Sequence, residues 1–397
     1  MSHLTGKHIT LAVTGGIAAY KACELVRLLV KAGATVQVAM TEAACEFVRP
    51  LTFEALSGRA VYTDQFAGGM PHLALTRDQT DLLLVAPATA NTIAKAAHGI
   101  ADNLVTSVIC GRNCPLAVVP AMNNKMWENP ATQENIRRLK SWGVHVLGPA
   151  TGELACHVNA AGRMIEPSEI VDYVSAILAP KVLEGKKVVV TAGPTYEALD
   201  PVRGLTNKSS GKQGYAIAKA AFEAGAEVIL VTGPTALKAP TGVTVKRVES
   251  ATEMLHRVTV HLKDADVFIS VAAVADFRSA RVAEHKIKKT DDDTVPSFDL
   301  VKNPDILATV ALNYPDIYCV GFAAETQNVE AAAKEKLSKK GAKIIVGNLA
   351  TDTFGKDTNT AVFVSAISVE EVPTCTKDEL AEKLVSRIAQ DLGVSDE

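Results

Sequence analysis

The sequence predicts an α/β protein built from two doubly wound, Rossmann-like domains with mostly parallel sheets. Short apolar runs alternate with amphipathic helical segments, and the same strand–turn–helix–strand opening occurs twice along the chain. At 397 residues the chain is long enough for two domains of roughly 100–200 residues each. Aromatic residues make up only 5%, which favours helices packed on parallel strands over a β-sandwich.

The first opening occupies the N-terminal 40 residues. An apolar run at residues 9–13 predicts a buried strand, and Thr14-Gly15-Gly16 predicts a turn. A helical period then runs over residues 17–31, and residues 35–40 predict the next strand. Further strands of the same domain are predicted at residues 82–86, 116–119 and 144–147.

The second opening begins near residue 186, with a strand at residues 187–191 and a long connection from Gly193 onward. A helix at residues 211–224 and a strand at 227–231 complete it. The Pro- and Gly-containing stretch at residues 179–185 predicts the boundary, and hence domains of residues 1–180 and 181–397. The charged stretch 281–294 predicts an exposed hairpin or loop, and residues 350–359 another loop.

Composition excludes several classes of partner. The net charge is −3 and neither half is basic, so we expect no nucleic acid. The N-terminus shows no apolar signal region, and no apolar run reaches about 18 residues, so we expect no membrane partner. The seven cysteines are scattered, which argues against a disulfide framework and predicts a reducing cytoplasmic location.

The turn at residues 14–18 lies between a predicted strand and a predicted helix. Backbone N–H groups at such a helix N-terminus favour an anion, although an ordinary tight turn has the same sequence pattern. Further strings follow strand ends or flank helix starts, where ligand sites of α/β proteins gather. These strings are Pro-Ala-Thr-Ala-Asn-Thr-Ile-Ala-Lys (87–95), Gly-Ile-Ala-Asp-Asn-Leu-Val-Thr (99–106), Pro-Ala-Met-Asn-Asn-Lys-Met-Trp (120–127) and Gly-Arg-Met (162–164).

Together with His72, these strings resemble the flavin-dependent cysteine decarboxylase family, and within it the phosphopantothenoylcysteine decarboxylases, over most of residues 7–178. The resemblance implies FMN as cofactor and 4'-phosphopantothenoylcysteine as substrate. Oxidation of the substrate thiol makes the loss of carbon dioxide easy, and the flavin then returns the electrons. The expected FMN contacts are Gly15, Gly16, Ile17, Ala18, Thr41, Ala88, Thr89, Asn91 and Thr106.

The resemblance also implies the catalytic residues of this half. His72 is expected to act as the base, because a neutral imidazole can accept a proton near pH 7. Asn123 is expected to hold the substrate carboxylate with an uncharged amide, since a fixed cation would oppose loss of that carboxylate. Cys156 is expected to return a proton from a substrate flap. Met122 and Arg163 are the remaining expected substrate contacts.

Each of these residues also has an ordinary structural interpretation. A loop histidine such as His72 is commonly solvated, an asparagine such as Asn123 can cap a turn, and a lone cysteine is commonly a small buried hydrophobe. The flap around Cys156 departs from the family pattern, because His157, Asn159 and Ala160 stand where the family commonly has glycine.

In the second half, residues 191–214 form a Gly/Ser/Thr-rich connection whose N–H groups suit phosphates but do not match the P-loop pattern. With the strings at 200–203, 272–276, 286–289, 301–306 and 321–326, this segment resembles phosphopantothenoylcysteine synthetase over about residues 186–390. The resemblance implies CTP, Mg2+, 4'-phosphopantothenate and cysteine as reactants, with an acyl cytidylate as intermediate. The expected CTP contacts are Ser270, Val271, Ala272, Asp276, Lys286, Pro304, Asp305, Ile306, Leu307, Phe322, Lys336 and Lys340.

By the same resemblance, Asn207 and Arg203 are expected to engage the phosphopantothenate or acyl-phosphate group, and Lys286 to act in catalysis. Lysines of the string 286–289 are otherwise typical of a solvated face. Lys336 and Lys340 are four residues apart on a predicted helix and so share one face.

The chain as a whole resembles bifunctional bacterial enzymes of coenzyme A synthesis, with the decarboxylase first and the ligase second. The resemblance implies a homo-oligomer, with trimeric flavin domains and dimeric ligase domains. Two alternatives stay open: a regulatory flavoprotein that does not turn over, and a nucleotide-linked oxidoreductase. The first is compatible with loss of His72 or Cys156, which are both present, and the second predicts a dinucleotide fingerprint that neither half shows.

Overall fold

A computed structural model describes residues 3–67, 69–76, 79–154, 158–288, 297–325, 327–349 and 356–394. The chain divides into two compact units, residues 1–179 and 180–397. Each unit is described by itself.

The first unit alternates strands and helices from its N-terminus. Its strands are β1 (His8–Val13), β2 (Thr35–Met40), β3 (Leu82–Ala88), β4 (Leu116–Pro120), β5 (His145–Val146), β6 (Ala150–Glu153) and β7 (Asn159–Arg163). Its helices are α1 (Ala19–Lys31), α2 (Glu42–Cys45), α3 (Pro50–Ser57), α4 (Pro71–Ala74), α5 (Ala90–His98), α6 (Leu104–Gly111), α7 (Asn124–Glu128), α8 (Pro130–Ser141) and α9 (Pro167–Leu178).

The main sheet of the first unit has the strand order β2-β1-β3-β4-β5, and every pair is parallel. All seven residues of β3 are buried, because helices cover both faces of the sheet. One face packs against α1, α3 and α9, and the other against α5, α6 and α8. The predicted doubly wound parallel architecture is confirmed here.

Local differences from the predicted elements have simple causes. Helix α1 begins at Ala19 rather than residue 17, because Ala18 occupies the N-cap position. The predicted strand at 144–147 is reduced to the two residues of β5, an edge strand that pairs only with β4 among the described residues. The antiparallel hairpin β6–β7 was not predicted, since its small and polar residues show no apolar alternation.

The second unit repeats the alternation with a larger sheet. Its strands are β8 (Lys187–Ala192), β9 (Tyr196–Ala198), β10 (Gly204–Thr206), β11 (Glu227–Thr232), β12 (Thr244–Arg247), β13 (Val267–Ser270), β14 (Phe277–Ser279), β15 (Leu300–Lys302), β16 (Tyr318–Glu325), β17 (Ile344–Leu349), β18 (Thr358–Ser365) and β19 (Val369–Thr376). Its helices are α10 (Lys212–Glu223), α11 (Ala251–His261), α12 (Ile306–Asn313), α13 (Val329–Lys340) and α14 (Lys377–Asp391).

This sheet has the order β12-β11-β8-β13-β16-β17-β18-β19. The strands from β12 to β17 are parallel, and β18 and β19 add an antiparallel edge. Helices α10 and α14 pack on one face, while α11, α12 and α13 pack on the other. The second unit is therefore also doubly wound, as predicted.

Two small hairpins interrupt this pattern. The expected long connection after Gly193 contains the antiparallel pair β9–β10, and its turn is closed by the Asp200 side chain. The expected exposed segment 281–294 lies between β14 and β15, which pair antiparallel. Residues 281–288 of that segment are without helix or strand, and its remainder lies outside the described residues. Of the predicted loop 350–359, residues 350–355 also lie outside them, and β18 begins at Thr358.

Candidate active sites

The first candidate site lies where the strand order reverses in the first sheet. After β1 the chain continues to β2 on one side, whereas β3 lies on the other side of β1. In open α/β sheets ligands bind at the carboxyl ends of the strands beside such a switch point. The turn after β1 and the start of α5 after β3 meet there.

A buried threonine joins these two segments. Thr14, only 1% exposed, donates a hydrogen bond from Oγ1 to the carbonyl oxygen of Pro87 at 2.7 Å. The same oxygen accepts the N–H of Thr89 at 3.1 Å. Thr89 in turn is the N-cap of α5, and its Oγ1 accepts the N–H of Thr92. Thr14 therefore fixes the expected FMN residues 15–18 beside Ala88, Thr89 and Asn91.

The two glycines of the turn have different roles. A Cβ on Gly15 would overlap the side chain of Ala43 and lie 2.8 Å from its carbonyl carbon. The turn therefore packs directly on α2, whose N-cap is Thr41, another expected FMN contact. A Cβ on Gly16 would meet only the Thr89 methyl group at 3.7 Å, an ordinary contact. Gly15 is needed for packing, whereas packing among the described residues does not require Gly16.

Main-chain hydrogen bonds extend the site toward the substrate motif. Ala121 N–H donates to the Ala88 carbonyl at 3.0 Å, and Met122 N–H donates to the Gly162 carbonyl at 2.9 Å. A Cβ on Gly162 would overlap the Met122 carbonyl oxygen, so the β6–β7 hairpin lies against the Met122–Asn123 segment. Hydrogen bonds thus connect four successive parts of the site: residues 14–18, 87–91, 121–123 and 162.

Asn123 is exposed at the N-cap of α7, and its Oδ1 accepts the Lys125 N–H at 2.9 Å. That bond orients the amide group. The expected proton donor Cys156 lies outside the described residues, as does His157. The hairpin ends that flank them are joined by the Leu154 N–H to Val158 carbonyl bond at 2.9 Å.

His72 and Thr106 lie on α4 and α6, two helices that pack against each other. His72 is half-buried, and its carbonyl accepts the Thr76 hydroxyl at 2.7 Å. Thr106 is buried, and its Oγ1 accepts the Asn103 N–H in a capping box. Its hydroxyl thus serves the start of α6.

Arg163 belongs to an ion network at the end of β7. Its guanidinium donates to Glu166 Oε1 at 2.7 Å, and the Lys21 ammonium donates to the same oxygen at 2.9 Å. Lys21, followed by Arg163, holds the pKa of Glu166 below its usual range, against the opposing effect of burial. The network ties α1 to the start of α9.

The second candidate site is a cavity of about 810 Å³ in the second unit. It lies at the carboxyl ends of β8, β13 and β16, where β8 is again the strand at which the order reverses. The cavity brings together Asn207 and most of the expected CTP contacts. These are Ser270, Val271, Ala272, Asp276, Pro304, Asp305, Ile306, Leu307, Phe322, Lys336 and Lys340.

Two buried threonines shape the loop after β13. Thr191 Oγ1 accepts the N–H groups of Val271 and Ala272 at 3.2 and 3.3 Å. Thr195 Oγ1 accepts the Ala275 N–H at 3.0 Å. Asn207 donates from Nδ2 to the carbonyls of residues 273 and 274 at 3.0 and 3.2 Å, so the loop before α10 is tied to the same wall.

The cations at the α13 side of the cavity differ in their surroundings. Lys336 is half-buried and donates to the Phe322 carbonyl at 2.6 Å. Burial, followed by repulsion from Lys340, lowers the pKa of Lys336. Lys340 pairs with Asp305, the N-cap of α12. Burial opposes ionisation of Asp305, but the bonds from Lys340 and from the Ala308 N–H keep the pKa of Asp305 below its usual range.

The cavity also contains Lys212, a basic residue of the Gly/Ser/Thr-rich segment 191–214, and Lys377, which no motif indicated. Lys212 at the start of α10 pairs with Asp357 at 2.6 Å, and the buried Lys377 donates to the Lys356 carbonyl at 2.5 Å. Gln213 donates to the Lys377 carbonyl at 3.1 Å. Lys377 is the first residue of α14 and belongs to no recognisable motif. It lies beside α10 because the antiparallel edge of the sheet ends there, which only the structure shows.

Arg203 and Lys286 do not line this cavity, which is bounded by other described residues. Arg203 is half-exposed, and its guanidinium pairs with Asp200 and bonds to the Ile287 carbonyl. Lys286 is exposed in the segment after β14. The sequence analysis did not single out Asp200 as a site residue, although it is the group that connects the two.

Within the part of the chain that the structure describes, no helix has the length and apolar character needed to cross a bilayer. The same residues contain no group of three or more His, Cys, Asp or Glu side chains placed to hold a metal ion.

Comparison with known proteins gives matches to both units. Residues 1–179 match the family model described as flavoprotein, and residues 183–392 match the DNA/pantothenate metabolism flavoprotein C-terminal domain. The coenzyme A biosynthesis bifunctional protein CoaBC of Vibrio cholerae serotype O1 is 46% identical over 402 residues, covering 99% of this chain and 100% of that protein. The Bacillus subtilis (strain 168) protein of the same name is 43% identical over 397 residues, covering 97% of each.

One solved structure, the C-terminal domain of a protein of that name, is 42% identical to this chain with a TM-score of 0.47. It covers 54% of this chain, and all of the solved domain is matched.

Proposed function

This chain belongs to the family of coenzyme A biosynthesis bifunctional proteins, and we propose that each of its two units catalyses a different reaction. Residues 1–180 are an FMN-dependent decarboxylase of 4'-phosphopantothenoylcysteine. Residues 181–397 are a CTP-dependent ligase that joins cysteine to 4'-phosphopantothenate. One observation carries the proposal: the motif residues of each half gather at the switch point of that half's own sheet, around the Thr14 hydrogen bonds in the first unit and around a cavity in the second.

The residues of the first unit fit FMN. Thr14 holds the turn before α1 beside the N-terminus of α5, and a pair of neighbouring helix N-termini suits the phosphate of a mononucleotide. Gly16 leaves room at this turn that a side chain would fill. FMN supplies reversible two-electron oxidation of the substrate thiol, which makes decarboxylation possible.

The protein then has to hold a carboxylate and move protons. Asn123 presents an amide oriented by Lys125 N–H, which binds the substrate carboxylate and stabilises its charge less than a fixed cation would. His72 accepts a proton, and Cys156 returns one to the product carbon. The bond between Met122 N–H and Gly162 supports a role for the β6–β7 hairpin over the substrate.

The ligase reaction proceeds in two displacements. A carboxylate oxygen of 4'-phosphopantothenate attacks the α-phosphorus of CTP, and pyrophosphate leaves. The cysteine amine then attacks the acyl carbon, loses a proton, and CMP leaves. Lys336 and Lys340 offset phosphate charge in the cavity, and Asn207 and Lys286 act on the acyl phosphate.

Mg2+ is a proposed partner of CTP rather than of a dedicated protein site. Mg2+ keeps several waters and is commonly bound by one or two carboxylates plus substrate phosphates. Asp276 is an exposed carboxylate of the cavity, and Asp305 is a second one engaged by Lys340. These carboxylates suit such a site.

Self-association is part of the proposal. Four large apolar side chains near the first site are at least half exposed: Ile17, Tyr20, Phe47 and Leu51. Several exposed apolar side chains in one region support contact with another copy of this chain. We propose trimeric flavin units and dimeric ligase units, acting in the cytoplasm on small-molecule substrates.

Crossed substitutions test the proposal. His72→Asn should lower carbon dioxide release by about 10²–10⁴-fold and leave pyrophosphate release from CTP unchanged. Asn207→Asp should lower ligation and leave carbon dioxide release unchanged, because a carboxylate next to the acyl phosphate repels it. His98→Asn on α5 and Asn313→Asp on α12 are matched controls, since among the described residues both side chains bond within their own helices. Parental carbon dioxide release in His72→Asn, or parental ligation in Asn207→Asp, would remove that residue from its role.

A further inference from the structure

A buried carboxylate closes the turn between β9 and β10. Asp200 is 1% exposed, and its Oδ1 accepts the N–H groups of Val202 and Arg203, each at 2.8 Å. Its Oδ2 accepts Arg203 Nε at 3.0 Å. Two of these bonds make an Asx turn, which asparagine would make equally well.

The same carboxylate reaches the segment after β14, 87 positions along the chain. Asp200 Oδ2 also accepts the Ile287 N–H at 3.2 Å, and the Arg203 guanidinium donates to the Ile287 carbonyl. The Ala283 N–H donates to the Leu199 carbonyl at 3.0 Å. Both backbone polar groups of Ile287 are therefore held by this Asp200 hydrogen-bond network, which consists of Asp200, Arg203 and Ile287.

The charge on Asp200 is what makes the network possible. Burying a carboxylate is costly unless it is fully hydrogen-bonded or paired. Burial of Asp200 opposes ionisation, but N–H donors from Val202, Ile287 and Arg203, together with the guanidinium, lower its pKa to about 2. A neutral asparagine would close the turn but would not form an ion pair with Arg203. The ion pair therefore holds the Arg203 guanidinium where it donates to the Ile287 carbonyl.

We propose that Asp200 and Arg203 are positioning residues of the ligase, which fix the main chain at Ile287 and thereby set the position of Lys286 for carboxylate activation. The network joins two segments of chain that each include a residue lining the cavity: Asn207 follows β10, and Phe277 opens β14. Arg203 then acts through the segment that carries Lys286, and not by binding substrate. This inference rests on the proposed function, because it assumes that Lys286 acts in the CTP step.

The first test uses three single variants of the full chain. Asp200→Asn keeps the turn and removes the charge, and Arg203→Lys keeps the charge but loses the planar fork whose separate N–H groups bond Asp200 and Ile287. The control, Asp266→Asn, changes an aspartate that also accepts a main-chain N–H and a lysine, at the start of β13. Trypsin can cut after Lys286 and Lys288 when this segment leaves the Asp200 hydrogen-bond network. The rate at which the cut peptides appear in mass spectrometry therefore reports how often the segment is released.

We expect both network variants to be cut at Lys286 about tenfold faster than the parent, with parental cutting in the control. We expect kcat for pyrophosphate release to fall about 10–100-fold, the size of effect that misplacing a catalytic group produces. The KM for CTP and the release of carbon dioxide should stay near parental values. Parental tryptic rates in Asp200→Asn and Arg203→Lys would overturn the proposal.

The second test asks whether Asp200 acts through Lys286. Asp200→Asn is combined with Lys286→Gln, and we expect no further loss of kcat beyond that of Lys286→Gln alone. A fully multiplicative loss would show that Asp200 acts by another route and would overturn the proposal. If Lys286→Gln alone keeps the parental kcat, the proposed role of Lys286 fails, while the tryptic rates still decide whether the network holds the segment.

Discussion

Thr14→Val is a sharp perturbation of the first site. Valine keeps the shape of threonine but replaces the hydroxyl that joins the turn after β1 to the end of β3. The substitution removes the donor to the Pro87 carbonyl at 2.7 Å and the acceptor of the Thr89 N–H at 3.1 Å. It therefore leaves two main-chain groups without their partner at a site that is 1% exposed.

The expected cost follows from those two groups. Leaving a buried donor or acceptor unsatisfied costs about 1–3 kcal/mol, so the pair costs about 2–6 kcal/mol. For a unit of this size, 1 kcal/mol lowers the Tm by about 2–4 °C, so the Tm of the first unit should fall by about 4–24 °C. Thr14→Ser keeps the hydroxyl and loses one methyl group, which costs about 0.8 kcal/mol or about 2–3 °C.

The assay is thermal unfolding of the FMN-saturated full chain, followed by the rise of flavin fluorescence on release. The second unit reports separately through pyrophosphate release, which should be parental in both variants. If Thr14→Val and Thr14→Ser unfold at the same temperature, Thr14 does not join the two segments energetically, and the account of the flavin site is wrong.

Further predictions concern both sites. Gly15→Ala should lower the Tm of the first unit because its methyl group overlaps α2, whereas Gly16→Ala should keep the Tm of the FMN-free protein and weaken FMN binding, as fluorescence titration would show. Lys340→Met should raise the KM for CTP about 10–100-fold without affecting carbon dioxide release, because one charge-assisted contact is worth about 1.5–3 kcal/mol. Since the pKa of Lys336 is lowered, its proton should leave below the ordinary value of 10.5, so CTP affinity should fall as pH rises through that window, and Lys336→Arg should shift the fall to higher pH. Chelation with EDTA should abolish pyrophosphate release and leave carbon dioxide release intact; equal loss of both activities would contradict the assignment of Mg2+ to CTP.

The sequence predicts the parallel core well, because buried strands such as β3 are continuous apolar runs and their helices carry a clear period. It predicts small hairpins poorly. Strands β9 and β10 have three residues each and are joined through a side chain, so no apolar alternation marks them. The β6–β7 hairpin is missed for the same reason.

The candidate sites divide along the same line. The motif strings predict candidate contact residues. In the second unit, the cavity brings together the predicted CTP contacts from Ser270 to Lys340 except Lys286. Lys377 could not be predicted, because it reaches the cavity only through the antiparallel edge strand that precedes α14. The partners of Arg203 could not be predicted either, since its contact with Ile287 joins segments 84 positions apart.

A crystal structure of the full chain grown with FMN and CTP together would show whether each unit binds its own nucleotide. We expect the flavin phosphate at the turn of residues 14–18 beside Thr89, and CTP in the cavity between Asn207 and Lys340. Both nucleotides in one unit, or a flavin bound away from the ends of β1 and β3, would contradict this expectation.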